Sequence, residues 1–205
     1  MIDVIESVLS KHLSEPLGSK RKFSVMLPLI KQDDEWHILY EVRSKRISQP
    51  GETSFPGGAV EAGETFKEAA IRETMEELNI SRDCIEVLGE INYIVNEHAI
   101  IHCFVSKLNL TVEEINFNQE VASLFTIPLN YFLTNRPTYY TSKFILEHPE
   151  DFPYHLIPNG KDYRFKVGGH LIPFYELNGH SLWGYTASLT DHFIDIITAK
   201  SEIML

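Results

Sequence analysis

Sulfur is scarce in this sequence. Cys84 and Cys103 are the only cysteines among 205 residues, and they lie far apart in the chain. They form neither a paired framework nor a metal or redox motif, so both thiols are expected to fill core space in a reducing cytoplasm. Long apolar runs are missing too. No stretch approaches the roughly 18 residues that span a bilayer, and no membrane partner is expected. The opening MIDVIESVLSKHL carries acids early and has no compact apolar block behind a basic start, so it does not read as a signal peptide. Positive charge is in deficit: 18 Lys and Arg stand against 29 Asp and Glu, a net charge of −11. Non-specific nucleic-acid binding runs on the opposite surplus, and the deficit argues against it. It also gives no help in attracting a phosphorylated substrate, so such a site needs a divalent cation or a local basic patch.

Internal repeats, low-complexity segments and a convincing domain boundary are absent as well. The expectation is one domain over 1–205, with a helix and connector in 1–20 and a closing helix in 181–200. Residues 2–13 place Ile2, Ile5, Val8 or Leu9, and Leu13 on one helical face. FSVMLPLI (23–30) and WHILYEV (36–42) read as strands around a KQDDE turn, with Pro28 hinting at an edge or a bulge. Gly, Pro and Ser make 43–63 a long loop. A helix is expected over 66–78, with Thr65 and Glu68 as a capping box and Asn79 in the left-handed conformation at its end. Strands follow near 84–94 and 99–108, then FTIPLNYFL as a short helix. YRFKV (163–167) and HLIPFYEL (170–177) look extended, Asn178-Gly179 marks a turn, and Ser181 is placed to cap the last helix. Strands around a helix with further helices flanking them imply an α/β layered domain.

RETMEEL, residues 72–78, crowds Glu73, Glu76 and Glu77 at spacings of three and four. At ~100° per residue, Glu73 and Glu77 lie about 40° apart on the helix and Glu76 about 60° to the other side. Like charges so spaced repel, and negative charge late in a helix opposes the macrodipole. A solvated acidic face explains each glutamate singly. A divalent cation explains them together, since Mg²⁺ takes carboxylates, waters and substrate phosphates. Gly57 and Gly58, just upstream, permit backbone shapes closed to other residues, and an exposed carbonyl at Gly57 would add an oxygen ligand.

Gly58, Glu64 and Arg72-Glu73-Thr74-Met75-Glu76-Glu77-Leu78-Asn79-Ile80 together resemble the Nudix box, G-x5-E-x7-R-E-U-x-E-E-x-G-U with U aliphatic. Thr74 replaces an aliphatic residue and Asn79 a glycine; neither removes a ligand. The resemblance implies a Nudix-type α/β/α sandwich with a mixed β-sheet and hydrolysis of a diphosphate linked to another moiety. It implies Mg²⁺ or Mn²⁺ on Glu73 and Glu77 with Glu76 assisting, and Arg72 holding the glutamates while paired with Glu64. The general base is either Glu120, in NQEVASLF, or Glu76.

The loop VRSKRISQPGETSFPGG, residues 42–58, resembles the signature of the coenzyme A pyrophosphatase branch of that family, as does LWGYTA at 182–187. The segment from Arg43 to Gly51 is about one residue shorter than that pattern, and Arg46 stands nearest its second arginine. Arg43, Lys45 and Arg46 make a basic patch suited to the phosphates of coenzyme A, beside Gly58. The implied products are 3′-phosphoadenosine 5′-phosphate and a 4′-phosphopantetheine. Other readings are the same chemistry on ADP-ribose, NADH or a dinucleotide polyphosphate, or a binding module that senses a nucleotide without cleaving it. Aromatic residues in YFLTNRPTYY (131–140) would stack on an adenine or shield a pantetheine arm, or else pack in the core. His98 and His102 share no helical face, and His102 is expected to be satisfied or exposed. The oligomeric state, monomer or homodimer, stays open.

Overall fold

The computed structural model of the chain describes residues 1–18 and 20–201. An N-terminal helix, α1 (Ile2–Leu9), precedes strands β1 (Arg21–Gln32) and β2 (Glu35–Arg43). Asp33 and Asp34 join these strands with φ of 45° and 65°, the left-handed pair that a two-residue hairpin turn requires. Short strands β3 (Thr53–Ser54) and β4 (Gly57–Ala59) lead into α2 (Phe66–Leu78). Then come β5 (Ile85–Glu90), β6 (Ile94–Val95), β7 (Ala99–Leu108), β8 (Val121–Pro128) and helix α3 (Leu129–Thr134). A second region holds β9 (Thr138–Lys143), β10 (Gly169–Leu177), β11 (His180–Trp183) and α4 (Gly184–Ser201).

Strands β1 to β8 form one mixed sheet, ordered β3-β2-β1-β7-β5, with β4 also on β1, β6 on β7 and β8 on β2. β1 runs parallel to β7, and the other pairs are antiparallel. Alternation sends Met26, Ile30 and Leu39 to one face, against Ala70 and Leu78 of α2. Leu27, Leu29, Ile38 and Tyr40 point the other way, against Phe132 of α3 and Ala187, Leu189, Phe193 and Ile194 of α4. Both faces are therefore covered by helices, the layered arrangement expected from the sequence. β9, β10 and β11 form a separate three-stranded sheet whose Tyr175 and Leu182 join the α4 side of the core.

Several expectations need correction. The N-terminal helix stops at Leu9, and none of its residues is buried. Pro28 lies inside a central strand, at the point where β1 changes neighbour from β4 to β2, so its missing N–H interrupts neither ladder. FTIPLNYFL splits: Phe125–Pro128 completes β8 against β2, and the helix begins at Leu129. Residues 163–167 form no strand, whereas 138–143 do, paired with β10. Ser181 caps nothing. The Asn178-Gly179 turn, with Gly179 at φ 83°, folds residues 180–183 back as a strand, and α4 starts at Gly184. Among the described residues, no helix is long and apolar enough to cross a membrane.

Candidate active site

α2 is fixed at both ends by its own sequence. Thr65 Oγ1 accepts from the Glu68 N–H at 3.2 Å, and Glu68 Oε2 accepts from the Thr65 N–H at 2.8 Å. Asn79 closes the helix at φ 53°, ψ 48°, its N–H donating to the Met75 carbonyl. Thr74 is fully buried, but its hydroxyl donates to the Ala70 carbonyl at 2.6 Å. That satisfied hydroxyl is why threonine is tolerated where an aliphatic side chain would sit.

β4 lies antiparallel on β1, with Gly57 opposite Val25 and Gly58 opposite Ser24. Neither glycine has positive φ, so conformational freedom is not their use. Their use is close approach. A Cβ on Gly58 would stand 2.2 Å from Glu73 Oε1, and one on Gly57 would stand 2.5 Å from the Ser24 carbonyl oxygen. The Gly57 N–H donates to Glu77 Oε2 at 2.8 Å, which sets the backbone of Gly57 against the acids.

Arg72 is the hub of the box. Its Nε and Nη2 donate to the two oxygens of Glu64 at 2.9 and 3.0 Å, the fork geometry that suits guanidinium to carboxylate. Nη2 also donates to the Ala59 carbonyl at 3.0 Å, and Nη1 reaches Glu73 Oε1 at 2.8 Å. These contacts raise the Arg72 pKa, Glu64 foremost, and lower that of Glu64. The Arg72–Glu64 pairing is the one that the resemblance to the Nudix box implies. Glu76 stands apart: it is exposed, 3.4 Å from Arg72 Nη1, and faces an open cleft with Glu61, Glu68 and Arg82.

A fourth acid joins the cluster from β2. Glu41 is 1% exposed; its Oε1 accepts from Ser54 Oγ at 2.9 Å, and its buried Oε2 has no partner. Burial pushes the Glu41 carboxyl well up, with Glu120 and Glu73 adding to the rise. Burial likewise raises Glu77, followed by repulsion from Glu41, and raises Glu73 against the opposing pull of Arg72. Glu120 is itself exposed, on a turn held by Asn118 Oδ1 and by the Ser44 N–H, yet its charge is felt by Glu41, Glu73 and Glu77. Glu41 is the residue that sequence reasoning missed. Its signal was a lone acid at the end of the apolar strand HILYE, on the same face as Leu39.

Among the described residues, no three His, Cys, Asp or Glu side chains are already gathered to hold a metal. Glu73 is instead engaged by Arg72 and Glu77 by Gly57. The donor set nevertheless fits a hard dication. It consists of carboxylate oxygens that repel one another, and one of them, Glu41 Oε2, is buried without a donor.

Next to the acids lies a cavity of about 270 Å³. Ser54, the partner of Glu41, is in its wall, as is Arg43, whose Nε donates to the Ser48 carbonyl at 2.9 Å. The basic patch is not one unit: Arg46 is engaged by Gln119, and Lys45 is exposed outside the cavity lining. The aromatic stretch divides as well. Phe132 is core, Tyr139 donates to Asp191 Oδ2 at 2.5 Å, and Tyr140 packs edge-on against Phe174. His102 is sandwiched between Phe66 and Tyr93 and bonded to Glu90.

The chain is 32% identical to mouse "Peroxisomal coenzyme A diphosphatase NUDT7" over 67% of its own length and 58% of that protein's. It is 30% identical to Caenorhabditis elegans "Nudix hydrolase 3" over 59% of its length and 54% of that protein's. It thus spans little over half of each of these two relatives. The crystal structure of a MutT/nudix family protein from Enterococcus faecalis shares the fold across 97% of this chain and 70% of its own, with a TM-score of 0.52 at 13% identity. Residues 20–143 match the model of the NUDIX domain. That match covers more than half of the chain, which therefore belongs to the Nudix hydrolase family.

Proposed function

We propose that this chain is a Mg²⁺- or Mn²⁺-dependent diphosphatase of coenzyme A or its derivatives, releasing 3′-phosphoadenosine 5′-phosphate and a 4′-phosphopantetheine. One observation carries the reading. Glu73 and Glu77 from α2, Glu41 from β2 and Glu120 from the turn before β8 act on one another, and Ser54, the hydrogen-bond partner of Glu41, lines a cavity whose wall also holds Arg43. The mouse relative's name supports coenzyme A as the substrate.

In this reading Glu73 and Glu77 would hold the cation, Glu76 would assist, and Glu41 would complete the set. When bound, the cation neutralises non-bridging phosphoryl oxygens and makes water more acidic. Arg72 clamps Glu64 and places the Glu73 carboxylate. Gly58 leaves room for that carboxylate, and the Gly57 N–H aims Glu77. Glu120 takes the proton from the water that adds to phosphorus, and the bridging P–O bond breaks with its oxygen leaving on the other phosphate. Arg43 meets a substrate phosphate, while Lys45 and Arg46, outside the cavity lining, supply local positive charge in an acidic protein.

The test is a substrate panel with purified protein and Mn²⁺: coenzyme A, acyl derivatives, ADP-ribose, NADH and a dinucleotide polyphosphate. Coenzyme A is expected to have the highest kcat/KM. Far faster turnover of ADP-ribose overturns the substrate, and tight binding without metal-dependent turnover of any compound overturns the reaction.

A further inference from the structure

The cavity beside the acids has a second wall that the catalytic reading does not use. In the small sheet, Phe174 of β10 lies directly opposite Trp183 of β11, and Tyr175 opposite Leu182. Tyr175 and Leu182 are buried in the core, so alternation turns His170, Ile172, Phe174 and Trp183 to the opposite face. Trp183 stacks on Phe174, with centroids 5.6 Å apart and planes 9° apart, yet stays 38% exposed. Gly184, at φ 65°, turns the chain into α4 and brings Tyr185 to the same wall. Asn96 Nδ2 donates to the Tyr185 hydroxyl at 3.0 Å, and Thr186 Oγ1 donates to the Thr53 carbonyl at 3.1 Å, tying this corner to β3. His170, Ile172, Trp183 and Tyr185 thus line the same cavity as Arg43 and Glu52.

We infer that this wall is a nucleobase subsite, which takes the purine ring of the substrate while Arg43 meets a phosphate on the attached ribose. Rings already fixed by a stack and a hydrogen bond present π faces at little loss of side-chain freedom. Such faces favour a flat heteroaromatic ring over a flexible pantetheine arm, and base–aromatic stacking tolerates any base. A cation beside aromatic faces matches a base carrying a phosphorylated sugar. The inference rests on the reading of the cavity as the substrate site, and it assigns the adenine end of the substrate to it.

Binding can be read without catalysis. In a Trp36→Phe background, Trp183 is the remaining tryptophan. Metal-free protein is titrated with 3′-phosphoadenosine 5′-phosphate and, separately, with 4′-phosphopantetheine. Saturable quenching by the first and none by the second is expected. Trp183→Ala and Tyr185→Ala should each raise the KM for coenzyme A about tenfold with kcat within twofold, and Trp183→Phe should restore most of the loss. Quenching by 4′-phosphopantetheine instead, no quenching by either compound, or an unchanged KM in both alanine variants overturns the subsite. If ADP-ribose proves the better substrate while 3′-phosphoadenosine 5′-phosphate still quenches, the proposed substrate fails and the subsite stands. If coenzyme A turns over normally in both alanine variants, the reverse holds.

Discussion

Adjacent glycines with opposite tasks give the sharpest prediction. Alanine at Gly58 would place its Cβ 2.2 Å from Glu73 Oε1 and 2.4 Å from Cδ, whereas ordinary contact begins at 3.4 Å. The glutamate must therefore retreat by just over 1 Å, and as the free end of a flexible side chain it can do so without moving backbone. The loss in stability is confined to the part-exposed Arg72–Glu73 contact, under about 1 kcal/mol. The loss in activity is larger, since a misplacement of about 1 Å at a reacting centre lowers rates on the order of 100-fold. Alanine at Gly57 instead meets the Ser24 carbonyl oxygen at 2.5 Å and the Val25 Cα at 2.7 Å, both backbone of a central strand. That strand cannot yield, and overpacking of this kind is destabilising by about 1–3 kcal/mol. Thermal melts and Mn²⁺-dependent hydrolysis of coenzyme A on both variants check the pair. Gly58→Ala should melt near wild type with activity down about 100-fold, and Gly57→Ala should melt several degrees lower. Near-normal activity in Gly58→Ala, or a melting loss equal to that of Gly57→Ala, refutes the assignment of Gly58 to the Glu73 carboxylate.

Other outcomes follow from the same acids and from α2. Glu41 and Glu77 keep their protons in the metal-free fold above the pH at which the unfolded chain releases them, near 4.5. The unfolded state then binds fewer protons, so apo stability should fall as pH rises from about 5 through 7 toward 9, by at most about 1.4 kcal/mol per unit for each group. Denaturant melts across that range check the slope, and saturating Mn²⁺ should reverse it by binding the folded state alone. Glu77→Gln should abolish most activity while flattening the slope and leaving apo protein at pH 8 at least as stable as wild type; near-normal turnover would remove Glu77 from the ligand set. Asn79→Ala places a Cβ residue without a helpful amide in the left-handed region and should lower stability by about 1 kcal/mol in urea melts, with Asn79→Gly at or above wild type.

Local chemistry made α2 legible: the Thr65–Glu68 box, Asn79 and the run between them specify its bounds without help from the rest of the fold. The pairing of Arg72 with Glu64 was legible only through the resemblance to the Nudix box, and the fork of hydrogen bonds between them matches what it implies. Phe125–Pro128 was not legible, because its state is set by β2, far away in sequence; Ser181 was not, because the Asn178-Gly179 hairpin pairs 180–183 with β10 and overrides a serine that could equally cap a helix. Glu41 shows the limit most plainly. Its one-residue signal, an acid ending an apolar strand, gains meaning only when β3 and α2 close over it. The aromatic wall at His170, Trp183 and Tyr185 is likewise a product of register, invisible until Phe174 is set opposite Trp183.

The most direct measurement is an anomalous difference map from crystals soaked in manganese. It should show a peak with carboxylate oxygens of Glu73 and Glu77 within about 2.5 Å. A featureless map over α2 at saturating manganese, with those side chains still on Arg72 and Gly57, would contradict the account.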